Sequence, residues 1–123
     1  MKANELRIGN WVEFVDSGIK EQLQCTPDVI HRLYFGYGHF GPLPLTEEWL
    51  LKFGWKDWDK AKFMESEYPL CKPNPKSRYS IYTFDNKKWI FAVNGKDLVE
   101  LEFVHSFQNL YFALTGEELT IKE

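Results

Sequence analysis

The dipeptide Asn94-Gly95 constrains this chain more than any other feature of its sequence. A two-residue hairpin loop that matches the twist of its flanking strands needs positive φ at both central positions, which asparagine and glycine tolerate. Around it, apolar and aromatic residues recur at strand spacing, and the pattern predicts three antiparallel strands at 79–84, 88–93 and 98–104, with a second turn at Asp85-Asn86. The expected unit is a three-stranded meander.

The start of the chain shows the same period of two. Leu6, Ile8, Val12 and Phe14 fall on even positions, interrupted by Asn10, and predict a strand over 6–15 with one buried face and a bulge at Gly9-Asn10. Asp16-Ser17-Gly18 turns the chain into a second strand carrying Ile19, Leu23 and Cys25. After the break at Thr26-Pro27-Asp28, the alternation of Val29, His31, Leu33 and Phe35 predicts a third strand. Three short strands so close together resemble the curved sheet of SH3-like barrels, an analogy at the level of architecture.

Helical signals occur twice. Thr46 stands where a cap belongs, Glu47 and Glu48 occupy the first turn, Leu45 and Leu50 have staple spacing, and Gly54 ends the run, so a short helix is predicted over 46–53. Trp49, Leu50 and Phe53 form its apolar stripe, with Trp55 folding back past Gly54. A second helix is predicted from Ser106, with Phe107, Leu110, Tyr111 and Leu114 on one face and Gly116 as its stop, and Leu119 and Ile121 suggest a short closing strand. Residues 56–78, with Pro69, Pro73 and Pro75, read as an exposed connection. The fold class is therefore α+β in one domain over 1–123: N-terminal antiparallel strands, one short helix, a three-stranded antiparallel meander, and a C-terminal helix packed on the sheet.

Fifteen Lys plus Arg against 18 Asp plus Glu give a net charge of −3, which disfavours general adhesion to nucleic acid or anionic lipid. The polar start lacks an apolar leader core and no run of apolar residues is long enough to span a bilayer, so a cytoplasmic protein with no membrane partner is expected. Cys25 and Cys71 lack metal-ligand spacing and read as free thiols packed as small apolar groups. The departure from average composition is aromatic: 10 Phe, 6 Tyr and 5 Trp make up 17% of the chain, material for either a core or a binding surface.

Several constellations invite chemistry. Gly36-Tyr37-Gly38-His39-Phe40-Gly41 has dinucleotide-loop spacing, but Pro42-Leu43-Pro44 follows where a helix should begin, so it reads as a plain glycine loop and no cofactor is expected. His31, His39 and His105 are too scattered for a local metal motif; His105 is expected to satisfy orphan N–H groups at the second helix, and His39 to be exposed. Cys71 paired with His105 lacks the electropositive niche of an activated thiol, and the acidic pairs Asp57/Asp59 and Glu100/Glu102 read as solvated surface. The strongest functional pattern interleaves cations and rings: Lys72, Lys76, Arg78, Tyr79, Tyr82, Phe84, Lys87, Lys88 and Trp89 have the composition of a single-strand stacking platform, or else of strand aromatics with lysines beside the turns. Of these, Lys72, Lys76, Arg78, Tyr82, Lys88 and Trp89 form the candidate binding surface.

Leu6-Arg7-Ile8-Gly9-Asn10-Trp11-Val12, Pro44-Leu45-Thr46-Glu47-Glu48 and the segment from Val104-His105-Ser106-Phe107-Gln108-Asn109 through Leu110-Tyr111-Phe112-Ala113-Leu114-Thr115-Gly116-Glu117-Glu118-Leu119 resemble a family of small uncharacterised bacterial proteins often met in phage-like or mobile genetic regions. The resemblance implies no activity. It favours an accessory protein that binds a host or phage macromolecule. The expectation is a non-enzymatic protein-binding module, with single-stranded nucleic-acid binding through residues 72–89 as the alternative and an enzyme with a site convergent from distant residues as the third reading.

Overall fold

In the computed structural model, which describes residues 6–16, 18–35, 39–57, 70–83, 85 and 87–122, the chain is α+β, as its periodicities predict. Its contacts fall into two compact units, Met1–Pro44 with Phe103–Glu118, and Leu45–Glu102 with Leu119–Glu123.

The first unit is built on a three-stranded antiparallel sheet in the order β2-β1-β3. The central strand β1 (Trp11–Asp16) pairs along its whole length with β2 (Ile19–Gln24) and, through Val12 to Val15, with β3 (His39–Pro42). Leu6, Val12 and Cys25 form a buried cluster, against which Val29, Ile30 and Phe40 pack.

Two expectations for this unit are corrected. The third strand predicted over 29–35 is a helix, α1 (Pro27–Phe35). Thr26-Pro27-Asp28 is a helix start as well as a strand stop: the Thr26 hydroxyl accepts from the Val29 amide at 3.2 Å, proline suits the first helical position, and Asp28 pairs with Arg32 one turn on at 3.1 Å. Neighbouring Val29 and Ile30 then share the half-buried side of α1, which period-two alternation forbids. The strand predicted from residue 6 begins only at Trp11, because Gly9-Asn10 belongs to a turn and not a bulge. Gly9 has φ +98°, Asn10 Oδ1 accepts from the Arg7 amide at 2.6 Å, and Ile8 is left 60% exposed.

Helix α3 (Val104–Thr115) packs on β1. It begins two residues before the predicted start, and Gly116, at φ 74°, ends it as expected, with its amide on the Phe112 carbonyl at 2.8 Å. Of the predicted stripe, Phe107 is buried, Leu110 and Tyr111 are half-buried and Leu114 is exposed; Val104, His105 and Gln108 complete the buried face.

Polar docking accompanies the apolar stripe. Gln108 Oε1 accepts from the Trp11 amide at 2.8 Å while its Nε2 donates to the Gly9 carbonyl at 3.1 Å. Asn109 Oδ1 accepts from Asn10 Nδ2 at 2.9 Å and from Arg7 Nε at 2.8 Å. Arg7 also donates to Glu118 Oε1 at 2.6 Å and lies 4.4 Å from the Phe112 ring centroid.

The second unit holds a four-stranded antiparallel sheet, β4 (Leu70–Cys71), β5 (Tyr79–Thr83), β6 (Trp89–Val93) and β7 (Lys96–Leu101), in that order. The meander β5-β6-β7 is the predicted one, though β7 stops at Leu101, and Asn94 and Gly95 turn it with φ 53° and 77°. Its additional edge strand β4 corrects the reading of 56–78 as exposed connection: Cys71 is buried opposite Ile81, and Lys56 and Lys72 exchange backbone hydrogen bonds at 3.0 and 2.9 Å. The rest of that connection, residues 58–69, lies outside the described residues.

Helix α2 (Glu47–Lys52) follows its sequence signals closely. Thr46 caps it by accepting from the Trp49 amide at 3.4 Å, Gly54 takes φ +84°, and the Trp55 amide returns to the Leu50 carbonyl at 2.8 Å. Trp49, Leu50, Phe53 and Trp55 are all buried. The predicted closing strand is not formed; Leu119 is buried and the Lys122 amide bonds the Lys52 carbonyl at 2.7 Å, but residues 119–122 join neither sheet.

The docking of α3 makes a direct prediction. Gln108→Ala removes the acceptor of the Trp11 amide and Asn109→Ala that of Asn10 Nδ2, and each lowers stability by about 1–3 kcal/mol, whereas Leu114→Ala, at an exposed helical position, changes it by less than about 1 kcal/mol. Denaturant unfolding followed by circular dichroism measures all three, and equal midpoints would remove the polar contribution.

Candidate binding surfaces

The cations and rings at residues 72–89 are distributed by the register of β5 and β6. Trp89 lies opposite Thr83 and Leu101, is fully buried, and donates Nε1–H to the Leu45 carbonyl at 2.9 Å. It offers no face to a base. Tyr82, half-buried between Leu70 and Ile90 in the register, donates its hydroxyl to Asp97 Oδ1 at 2.6 Å, and that hydrogen bond to a carboxylate pushes the phenol up to about 12. An acid bonded to the ring's edge is a poor neighbour for a phosphate.

The cations divide between the two ends of β5 and β6. Arg78 precedes β5, with its guanidinium 5.4 Å from the Tyr79 ring centroid, and its carbonyl accepts from the Asn94 amide at 2.7 Å. Lys76 sits in the preceding turn, its amide on Asn74 Oδ1 at 3.0 Å, and half-buried Lys72 follows β4. Exposed Lys87 and Lys88 stand at the far end, where Asp85 accepts both their amides at 2.9 Å; those bonds hold the Asp85 carboxyl below its usual range. A five-residue strand separates the groups by roughly 15 Å. Phe84 lies outside the described residues.

A different aromatic cluster is exposed on α1. Tyr34 is 75% and Phe35 56% accessible. The His31 and Phe35 ring centroids are 4.6 Å apart, and those of Tyr34 and Phe35 5.1 Å with the rings near perpendicular. Val29 and Ile30 anchor the same helix to the Leu6, Val12 and Cys25 cluster, so the rings stand on a packed element. Reading 29–35 as a strand concealed this cluster; the helix start at Thr26-Pro27-Asp28 is the signal that reveals it.

The remaining candidates have quieter roles. His39 is exposed at the start of β3, and Gly36-Tyr37-Gly38 lies outside the described residues; an antiparallel strand follows the loop, not the helix that a pyrophosphate site requires. His105 does not cap α3 as expected. It lies within the first turn, buried, with its ring parallel to that of Phe103 at 5.9 Å, while Phe103 occupies the cap position and makes no side-chain cap bond. Glu100 and Glu102 are exposed, and Asp59 lies outside the described residues.

Cys25 and Cys71 are free and buried. Burial pushes the Cys25 thiol up to about 11; burial first, and then Glu47 and Asp57, push Cys71 up to about 12. Neither has the depressed value of a nucleophile. Among the described residues no group of three His, Cys, Asp or Glu side chains could hold a metal ion, and no helix is long and apolar enough to cross a membrane. Comparison of the chain with protein-family models, curated proteins and solved structures finds no match.

The thiols supply a pH prediction. Their folded values lie above the ordinary 9.0, so the folded state holds more protons than the unfolded one between those limits, and stability falls as pH rises beyond about 9. Replacing both cysteines by alanine flattens that alkaline slope in unfolding curves. In the native protein a thiol reagent at neutral pH modifies either cysteine far more slowly than in denaturant; equal rates would contradict the raised values.

Proposed function

We propose that this protein is a non-enzymatic module that binds another protein through the aromatic end of α1. The observation that carries the reading is the exposed cluster of His31, Tyr34 and Phe35. Aromatic rings held against each other on an anchored helix gain area on binding with little loss of side-chain freedom, which is why such residues dominate the energetic centres of protein interfaces. The net charge of −3 and the division of the 72–89 cations into two groups make a polyanion the weaker candidate. In this reading the protein works in the cytoplasm as an accessory factor, with a host or phage protein as its partner.

The test is affinity capture of the tagged protein from its native host lysate, with and without nuclease, beside the double variant Tyr34→Ser/Phe35→Ser. A discrete protein that survives nuclease and is recovered about tenfold less well by the double variant is the expected result. Recovery that disappears with nuclease, and falls on Lys76→Ala/Lys88→Ala, would transfer the function to single-stranded nucleic acid; equal recovery by the double variant would move the site elsewhere.

A further inference from the structure

The turn between β6 and β7 holds a reactive pair in a conformation that keeps it from reacting. Asn94 and Gly95 are both exposed, and Asn94 is followed by glycine where the chain's other asparagines, Asn4, Asn10, Asn74, Asn86 and Asn109, precede Glu, Trp, Pro, Lys and Leu. Asparagine side-chain amides are labile groups, and a main route of their loss runs through the backbone nitrogen of the next residue. Gly95 brings no side chain to shield that nitrogen, and beyond its chain neighbours no heavy atom lies within 4 Å of where its Cβ would stand.

The route is closed by a torsion. For Gly95 N to reach Asn94 Cγ, the nitrogen must swing to the same side of the Cα–C bond as the side chain. Val93 pairs with Lys96 across the two-residue loop, whose φ values of 53° and 77° define a type I′ turn, and such a turn holds Asn94 at a ψ of about +30°. For an L-residue at that angle the nitrogen lies nearly opposite Cβ. The Asn94 amide, bonded to the Arg78 carbonyl at 2.7 Å, resists the rotation.

We propose that Asn94 is a modification site gated by its own hairpin: the closed turn protects it, and opening of β6 from β7 releases its conversion to aspartate and isoaspartate. In the open form the Gly95 nitrogen, giving up its proton to base, attacks Asn94 Cγ; a C–N bond forms, the side-chain nitrogen leaves as ammonia, and a succinimide results. Water then cleaves either ring C–N bond. Aspartate retains the main chain and suits the same turn. Isoaspartate carries the main chain through Cβ and Cγ, adds a methylene to the loop, and prevents Val93 and Lys96 from regaining their register, so the opening becomes permanent.

The test incubates the full chain in mildly alkaline buffer, native and in guanidinium chloride, and follows each asparagine by peptide mass spectrometry with separation of the isoaspartyl product. Asn94 is expected to convert first in denaturant, and at least about tenfold more slowly in the native protein. Phe91→Ala, which removes a buried ring from β6 opposite Val99, is expected to raise the native rate toward the denatured one. Native conversion as fast as in denaturant overturns the proposal, as does another asparagine converting first in denaturant. So does Phe91→Ala with a lowered unfolding midpoint and an unchanged native rate; should that variant not fold, the wild-type comparison decides alone.

Discussion

The carboxamide of Gln108 does the work of a neighbouring strand, accepting from the Trp11 amide and donating to the Gly9 carbonyl. Both groups flank the point where β1 begins, and a buried backbone group without a partner there would cost about as much as a hydrogen bond is worth several times over in net stability. Asn109 completes the arrangement by holding Asn10, whose own Oδ1 closes the turn on the Arg7 amide. The consequences run along the chain. The turn fixes where β1 starts, Gly9 and Asn10 exchange backbone bonds with Cys25 at 2.8 and 2.6 Å, and α1 begins two residues after Cys25. The position of the exposed rings on α1 is thus set by an amide on a helix far away in sequence.

The same contacts join two stretches that lie far apart in the sequence. Arg7, Gly9, Asn10 and Trp11 lie in the first, and Gln108, Asn109, Phe112 and Glu118 in the second. Each carries a group the other side requires: a guanidinium between a carboxylate and a ring, an amide between an N–H and a carbonyl. A pattern of this kind is what folding demands.

Legibility followed the range of the interactions. The helix at Thr46, the hairpin at Asn94-Gly95 and the stop at Gly116 are written in residues a few positions apart, and all appear as expected. β4 was not legible, because two residues become a strand only through β5, a partner beyond a proline-rich stretch. α1 was misread although its start is local: Val29, His31, Leu33 and Phe35 satisfy a period of two, and Thr26-Pro27-Asp28 ends a strand as well as it opens a helix. The candidate surface at 72–89 was legible as composition but not as geometry, since alternation cannot say which of Tyr82 and Trp89 points into the core.

The aromatic excess separates accordingly. Trp49, Trp55, Trp89, Phe53 and Phe91 are interior residues of the second unit, with Trp55 and Phe91 in ring contact at 6.1 Å, and Phe107 is interior to the first. These rings supply the apolar area a small unit needs and call for no ligand. Tyr34 is different: it is 75% accessible on a helix whose inner side is already secured by Val29 and Ile30. The interior rings and the exposed one thus differ in what they give the fold: the first supply its cores, while most of the second remains in contact with solvent.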